Sequence, residues 1–320
     1  MKRQALFLRS SPQFRKTDWV GDTLAGPAAI PGVNITSLTS NSEDDSETFA
    51  TYLRNPDTGT GFLVARHANS SALSTARFRV TLPSATRGPL DLPRTFDAIA
   101  LDGRQSKLIM TDYNFGRNGS VLHTTAAVFF AGTIGARDVL FLTGDAGQDH
   151  EAAVVLAGSR GRRASSAHIA YTTNEQGATT VTVRAGLASG LVTLWDSDEQ
   201  LVLFADPVTA ATFWAPTIRS PTADTVPGLE SFWQFGTNET VLVGGPYLVR
   251  NATLAGRTLS LRGDLNASVP LAVVGPAEIR AVTWNGERVQ VEGDGRGVLR
   301  GRLTLGEVVK TVTVPKLGGW

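Results

Sequence analysis

Val282-Thr283-Trp284-Asn285-Gly286-Glu287-Arg288-Val289-Gln290-Val291 carries a short alternating segment on each side of an Asn-Gly pair. Asn-Gly favours the two-residue turn in which both central residues take positive φ, and this turn matches the twist of two antiparallel strands. The stretch therefore predicts a β-hairpin. Asp102-Gly103 and Asp294-Gly295 are weaker hairpin signals of the same kind.

The same period-two alternation recurs along most of the chain, as expected of strands with one buried face. Clear examples are residues 78–82, 180–184, 259–262 and 309–314. Continuous apolar runs are typical of central strands covered on both faces. These runs are residues 126–131, 139–142, 152–157 and 201–205. We therefore predict an all-β protein made of two antiparallel β-sandwich domains.

Three segments are predicted along the chain. Residues 1–18 form a short helix and a junction, since Met1, Ala5 and Leu8 recur at helical spacing. Residues 19–216 form a large sandwich, and residues 217–320 form a smaller, Greek-key-like one. The boundary is placed at residues 216–227, which carry three prolines and few apolar side chains. The helix at residues 1–10 is the only regular helix expected.

The composition limits the function. The chain has 320 residues, of which 42% are hydrophobic and 18% charged, so a sizeable core is expected. A net charge of +1 is too small to favour nucleic acid as a partner. No apolar stretch approaches the ~20 residues of a membrane span, so no membrane partner is predicted either. With no Cys, disulfides and zinc–thiolate sites are excluded.

Asn-x-Ser/Thr sequons are more frequent than chance, which would give roughly two in such a composition. The candidate glycosylation sites are Asn34, Asn69, Asn118, Asn238, Asn251 and Asn266. We expect passage through a secretory pathway, although unmodified Asn in polar turns is the open alternative. The apolar run at residues 5–8 is too short for a signal peptide, and the first helix has no N-cap residue before it. Both features lead us to expect that the natural protein has an N-terminal part before this chain.

No catalytic motif is evident. The segment 158–161 has Ala157 where a Gly-x-Ser-x-Gly motif needs glycine. The densest polar cluster is Gly144–Glu151, which has two interpretations. It could contact a cation or a sugar, or it could be a hairpin connection whose polar groups face water, which we favour.

Isolated histidines and tryptophans give no further site. His67, His123 and His168 lie in strand-like segments, where metal ligands are uncommon. The tryptophans could stack on sugar rings or fill the core. They are Trp19, Trp195, Trp214, Trp233, Trp284 and Trp320. We predict no catalytic residue, no metal site and no cofactor.

Residues 2–12 and the run Lys16-Thr17-Asp18-Trp19 resemble a sequence known from the fungal glycoside hydrolase family 35 β-galactosidases. They are similar to the junction that follows the catalytic barrel of that family, and further segments resemble its later domains. The segments similar to its second domain are residues 51–56, 61–67, 103–107, 111–116, 124–129 and 214–216. Residues 246–250 and 263–266 resemble its third domain. The family often has Glu at the position of Ala127 and an acidic residue near Gln148.

The resemblance implies two β-sandwich domains of a secreted enzyme that removes terminal non-reducing β-galactose with retention. In the family the catalytic glutamates lie in an N-terminal (β/α)₈ barrel, and no position of this chain matches them. The implied function is accessory: the chain braces the barrel, with the barrel and later jelly-roll domains as partners. We then expect an apolar docking patch around Leu6, Phe7 and Trp19. The alternative is a free-standing protein that binds galactose-containing glycans or another protein.

Overall fold

The computed structural model describes residues 2–26, 29–39, 47–158, 161–219 and 240–305. Almost all of its regular structure is β-strand, which confirms the predicted all-β class. One helix, α1 (Lys2–Ser10), lies where it was predicted. A second helix, α2 (Pro207–Ala211), was not predicted; it forms because Asp206 caps it and Pro207 suits the first helical position.

The strands are numbered in chain order. They are β1 (Asp18–Asp22), β2 (Asn34–Ser37), β3 (Thr48–Arg54), β4 (Gly61–His67), β5 (Thr75–Ser84), β6 (Gly88–Leu92), β7 (Ile99–Asp102), β8 (Ser106–Phe115), β9 (Gly119–Thr124), β10 (Ala127–Ile134), β11 (Arg137–Thr143), β12 (His150–Val155), β13 (Arg162–Arg163), β14 (Ile169–Thr173), β15 (Ala178–Val183), β16 (Leu191–Asp196), β17 (Gln200–Ala205), β18 (Ile218–Arg219), β19 (Leu242–Gly244), β20 (Leu248–Ala255), β21 (Thr258–Asp264), β22 (Val269–Val274), β23 (Ala281–Trp284), β24 (Glu287–Val289), β25 (Val291–Gly293) and β26 (Val298–Leu303).

These strands form five sheets. The large sheet has the order β1-β3-β4-β8-β9-β12-β15-β14, and the cap sheet is β2-β5-β6 with β7 also paired to β5. The central sheet is β10-β11-β17-β16-β13, the inner sheet β19-β22-β26-β25 and the outer sheet β18-β20-β21-β23-β24. Most neighbours are antiparallel, but β11 pairs with β17, β18 with β20 and β21 with β23 in parallel.

The sheets stack as consecutive layers with a hydrophobic core between each pair. One core lies between the cap sheet and the large sheet, and the next between the large and central sheets. A third core joins the central sheet to the inner sheet, and a fourth joins the inner and outer sheets. The central sheet is therefore covered on both faces, which explains why β11 and β17 are buried along their whole length.

The turn predictions were partly right. Asn285 and Gly286 have φ values of 52° and 94°, the positive pair expected for the hairpin between β23 and β24. Asp294-Gly295 lies in the hairpin between β25 and β26. The hairpin prediction at Asp102-Gly103 was wrong, because this turn carries the chain from β7 of the cap sheet to β8 of the large sheet.

The predicted boundary at residues 216–227 lies mostly outside the described residues. Before the boundary, Phe141 of β11 and Phe213 pack edge to face with ring centroids 5.0 Å apart. Leu242 and Val298, which follow the boundary, belong to the same core. The polypeptide that precedes the boundary therefore shares a core with the polypeptide that follows it.

Candidate functional site

The Gly144–Glu151 connection runs from β11 of the central sheet to β12 of the large sheet. Asp145 is partly exposed and Asp149 is exposed, while Gln148, His150 and Glu151 are buried. Because consecutive strand residues point to opposite faces, His150 faces the central sheet and Glu151 faces away from it. The residues proposed for a cation or sugar contact are therefore not brought together. The favoured alternative was also wrong, since the connection crosses between two sheets and most of its polar groups do not face water.

Glu151 holds a distant loop against the large sheet. Its carboxylate accepts hydrogen bonds from the backbone N–H of Arg94 at 2.6 Å and of Thr95 at 2.8 Å, and His123 Nε2 lies 3.4 Å from Oε1. Burial raises the pKa of Glu151, but the interactions with His123 and the two N–H donors outweigh burial and leave this pKa below its ordinary value. The carboxylate is thus an ionised structural anchor for the connection between β6 and β7.

Gln148 accepts a hydrogen bond from the buried ammonium group of Lys107. The Lys107 ammonium donates to Gln148 Oε1, and Gln148 Nε2 donates to Asp102 at 2.7 Å and to Gln105 at 2.9 Å. Burial lowers the pKa of Lys107 to about 8, although Asp145 and Asp102 act in the opposite direction. Sequence reasoning missed Lys107, because a lysine in an alternating strand is ordinarily assigned to the exposed face.

His150 lies in the same region as a neutral ring. Burial, and secondarily the Lys107 charge, lowers the pKa of His150 to about 4. Its Nε2 is 3.0 Å from the Asp145 carbonyl oxygen. A cavity of about 10 Å³ lies next to the connection, between residues 144–148 and Phe204. That volume suits about one water molecule and is too small for a sugar ring.

Other buried carboxylates also anchor turns. Asp138 accepts backbone N–H bonds from residues 117–119 at 2.8–2.9 Å. Asp112 accepts bonds from the Ala85 N–H at 2.7 Å and from the Ser84 and Thr86 hydroxyl groups at 2.9 and 2.6 Å. Their oxygen atoms are occupied by the fold. Within the described ranges, no group of three His, Asp or Glu side chains could hold a metal ion.

Most of the described tryptophans fill the interior. Trp195 and Trp284 are buried, and Trp214 is half-buried. The Nε1 atoms of Trp195 and Trp214 donate to the carbonyl oxygens of Ala157 and Pro246. Trp19 is 65% exposed. The two remaining tryptophans, Trp233 and Trp320, lie outside the described residues.

Trp19 begins a row of side chains that crosses the large sheet. Directly paired residues share a face, and the pairing runs from β1 to β14. The members are Trp19, Leu53, Phe62, Met110, Thr124, Ala152, Val181 and Tyr171. We call it the Trp19 row. The central sheet covers its middle, while Trp19 at the β1 edge is open and Leu53 is half-buried.

Helix α1 does not extend this open patch. Phe7 is buried, with its ring centroid 5.3 Å from that of Phe14 and 6.5 Å from that of Phe62. Leu6 is half-buried against the core between the central and inner sheets. The expectation that Leu6 and Phe7 line an exposed docking patch was therefore wrong, because α1 packs into both neighbouring cores.

Arg9 fixes the position of α1. Its guanidinium donates to the Ala215 carbonyl oxygen and to Thr217 Oγ1, both at 2.6 Å. These contacts attach the start of the chain to the segment that precedes the inner sheet. No helix among the described residues is both long and apolar enough to cross a membrane.

The sequons fall into two groups. Four of the candidate asparagines are exposed: Asn34, Asn69, Asn118 and Asn266. Asn251 is half-buried in β20, and its Oδ1 is enclosed without a hydrogen-bond partner among the described residues. Asn238 lies outside the part of the chain that the structure describes.

Comparison with known protein families gives two adjoining matches. The family model for domain 2 of β-galactosidase matches residues 32–213. The family model for domain 3 of β-galactosidase matches residues 214–300. The first match alone spans more than half of the chain.

Curated fungal proteins match over the same length. "Probable beta-galactosidase B" of Emericella nidulans is 32% identical over 321 residues, and its counterpart in Penicillium rubens is 30% identical. "Probable beta-galactosidase C" of Talaromyces marneffei is 31% identical over 329 residues. Each comparison covers 100% of this chain and 28% of the relative. The chain thus spans little more than a quarter of these proteins.

Proposed function

The chain belongs to the β-galactosidase family, and from this premise we propose that it supplies the non-catalytic β-sandwich region of a β-galactosidase. The parent enzyme hydrolyses terminal non-reducing β-D-galactose residues with retention, and this region braces its catalytic (β/α)₈ barrel. Jelly-roll domains are the other partners within the parent. We also propose residues 19–216 and 217–320 as its two domains.

The observation that carries the proposal is the open end of the Trp19 row. A large, exposed indole at a sheet edge, next to the half-buried Leu53, leaves apolar surface in contact with water. Covering such surface contributes about 25 cal/mol per Å², so a neighbouring domain would gain stability by packing there. We assign this edge to the contact with the catalytic barrel.

The layered cores support a bracing role. The core between the central and inner sheets is formed by side chains from both family-model regions, including Phe141 and Val298. A large apolar interface opposes relative motion of the two regions. A stiff pair of domains can hold a partner in one orientation.

The buried carboxylates argue against chemistry in this region. Retaining hydrolysis needs two carboxyl groups about 5–5.5 Å apart and open to the glycosidic bond. Glu151, Asp138 and Asp112 instead bind backbone N–H groups of turns. They have no free oxygen to present to a sugar.

We further propose that the parent is a secreted glycoprotein. The exposure of Asn34, Asn69, Asn118 and Asn266 supports this, because an enzyme of the secretory pathway must reach the side-chain amide. Asn251 is a poor acceptor, since its side chain is half-buried within a strand. Peptide mapping after expression in a secreting yeast should find glycans on exposed sites and none on Asn251.

The alternative is a free-standing protein that binds carbohydrate or another protein. The Gly144–Glu151 connection no longer supports it, because the adjoining cavity has room for about one water molecule. An exposed Trp19 edge would also suit a binding protein, but the matches to domains 2 and 3 of β-galactosidase favour an edge that packs against a neighbouring domain. The assay below separates them.

The test has two parts. The purified chain is incubated with a chromogenic β-galactoside, and we expect no turnover above a heat-killed blank. In the second part, this chain replaces the matching segment of the Emericella nidulans protein, and we call the product the exchanged enzyme. The exchanged enzyme should keep β-galactosidase activity, whereas deletion of the segment should remove it.

Turnover by the isolated chain that Glu151→Gln or Asp149→Asn abolishes would show that the region is catalytic. An exchanged enzyme that is folded but as inactive as the deletion would contradict the bracing role.

A further inference from the structure

An open groove lies between the central sheet and the inner sheet, away from the Trp19 row and the Gly144–Glu151 connection. Its volume is about 440 Å³, within the range of small-ligand sites. The lining residues are Arg162, Arg163, Thr193, Asp196, Glu292, Gly293, Asp294, Val298 and Arg300. Consecutive residues line it on both sides, so the groove runs along the edge strands β13 and β25 rather than across a sheet face.

The floor of the groove is preorganised. Asp196 is buried and is held by Arg137 Nη1 at 2.7 Å, while Arg296 Nη1 lies 3.8 Å from its other oxygen. Arg163 lies over two rings, 5.0 Å from the Tyr171 centroid and 5.8 Å from the Trp195 centroid. These contacts fix the direction of a carboxylate and of a guanidinium before any ligand arrives.

Two pairs of oppositely charged cross-strand neighbours in the groove do not form ion pairs with each other. Arg162 is the cross-strand partner of Asp196, and Glu292 is the cross-strand partner of Arg300. Neither pair closes to an ion pair within the described residues, although residues at such positions lie close together. The Thr193 hydroxyl and the Glu292 carboxylate have no hydrogen-bond partner in that part of the chain. Asp196, Asp294 and Arg300 already have hydrogen-bond partners within the protein. Arg162, Thr193 and Glu292 therefore supply the donors and acceptors that remain available in the groove.

The chemistry of a matching ligand follows from this balance. The lining contains three arginines, Arg162, Arg163 and Arg300, and three carboxylates, Asp196, Glu292 and Asp294, so it presents both signs of charge. An anion would meet the carboxylates of Glu292 and Asp294, and a cation would meet three guanidinium groups. Burying a charge against like charges is costly. A neutral polyol satisfies both sets, because each hydroxyl both donates and accepts. We propose that this groove binds a neutral oligosaccharide.

The experiment is calorimetric titration of the full chain with neutral disaccharides. Lactose is the first probe, a choice that rests on the proposed function, and cellobiose is the second. We expect saturable binding with a Kd of about 1 mM. The double variant Arg162→Gln/Glu292→Gln should weaken binding at least about tenfold, since each change removes one charged partner of the sugar. The matched control Glu287→Gln/Arg288→Gln, on exposed positions of β24, should leave binding unchanged.

The outcomes separate the two ideas. Binding of cellobiose without lactose, lost in the groove variant, supports the groove and counts against a galactoside-processing parent. Saturable binding of neither sugar overturns the groove proposal and leaves the proposed function intact. Equal losses in the groove and control variants, or saturable binding of a heparin fragment alone, also overturn it.

Discussion

The middle and the edge of the Trp19 row lie on the same face of the large sheet, but only the middle is covered by other side chains. At Phe62 and Met110 the face is fully buried under the central sheet and the rings of Phe7 and Phe14. At Trp19 the same face is open. The large sheet has eight strands and the central sheet has five, so the cover is narrower than the surface beneath it. The open edge is therefore apolar surface that the described residues leave uncovered.

The largest expected effect comes from removing a ring in the covered part of the row. Phe62→Ala should lower the free energy of unfolding by about 3–5 kcal/mol, since it leaves a cavity among Phe7, Phe14 and Tyr113. Chemical denaturation would measure this loss. A loss below about 1 kcal/mol would mean that the middle of the row is not the packed region that the comparison requires.

A somewhat smaller loss is expected at the anchor on the opposite face of the large sheet. Glu151→Gln should lower the free energy of unfolding by about 2–4 kcal/mol. The glutamine NH2 group cannot accept a hydrogen bond, so one of the backbone N–H groups of residues 94 and 95 loses its acceptor. The control is Asp149→Asn, at an exposed position two residues earlier in the chain, which should cost less than about 0.5 kcal/mol. Equal effects in denaturation experiments would contradict the assigned anchor.

Acid should weaken the covered region through His150. Between its ordinary pKa of 6.5 and the lowered pKa of about 4, the unfolded state binds a proton that the folded state does not. The free energy of unfolding therefore falls as the pH falls through this window, by up to about 3 kcal/mol, and is unaffected by His150 above pH 6.5.

The check is urea unfolding of the wild type and His150→Gln at pH 7 and pH 4.5. The variant should lose less stability on acidification, because glutamine does not titrate. Parallel losses in the two proteins would show that another group is responsible.

The sequence predicts strands better than it predicts what covers them. The Asn285-Gly286 hairpin and the apolar runs at 139–142 and 201–205 depend on neighbouring residues, so local patterns were sufficient. Burial of Glu151 depends on residues 94–95 and His123, which are far away in the chain. The sequence contained one indication that Glu151 is buried: it directly precedes the apolar run 152–157, which was predicted to be covered on both faces.

The same reasoning applies to Phe7 and Gln148. Helical spacing showed which residues of α1 share a face, but not that this face packs into two cores. Gln148 was noted as a departure from the family pattern, yet its buried partner Lys107 lies 41 positions away. Alternation gives the direction of a side chain relative to its strand, and only the tertiary fold determines what lies opposite.

The smallest effect on the isolated chain is expected at the open end of the row. Trp19→Ser should change the free energy of unfolding by less than about 0.5 kcal/mol, because the side chain is 65% exposed. Denaturation of this variant beside Phe62→Ala contrasts the two ends of the comparison directly. A loss above about 2 kcal/mol would mean that Trp19 serves the chain's own core.

The most direct test of the bracing role is the thermal unfolding of the exchanged Emericella nidulans enzyme with Trp19→Ser. The matched control is Leu73→Ser, at a side chain that is 79% exposed in the loop between β4 and β5. We predict that Trp19→Ser lowers the Tm of the exchanged enzyme and shortens its active half-life, although it leaves the isolated chain unchanged, and that Leu73→Ser does neither. Equal Tm values for the exchanged enzyme and its Trp19→Ser variant would contradict the assignment of this edge to the catalytic barrel.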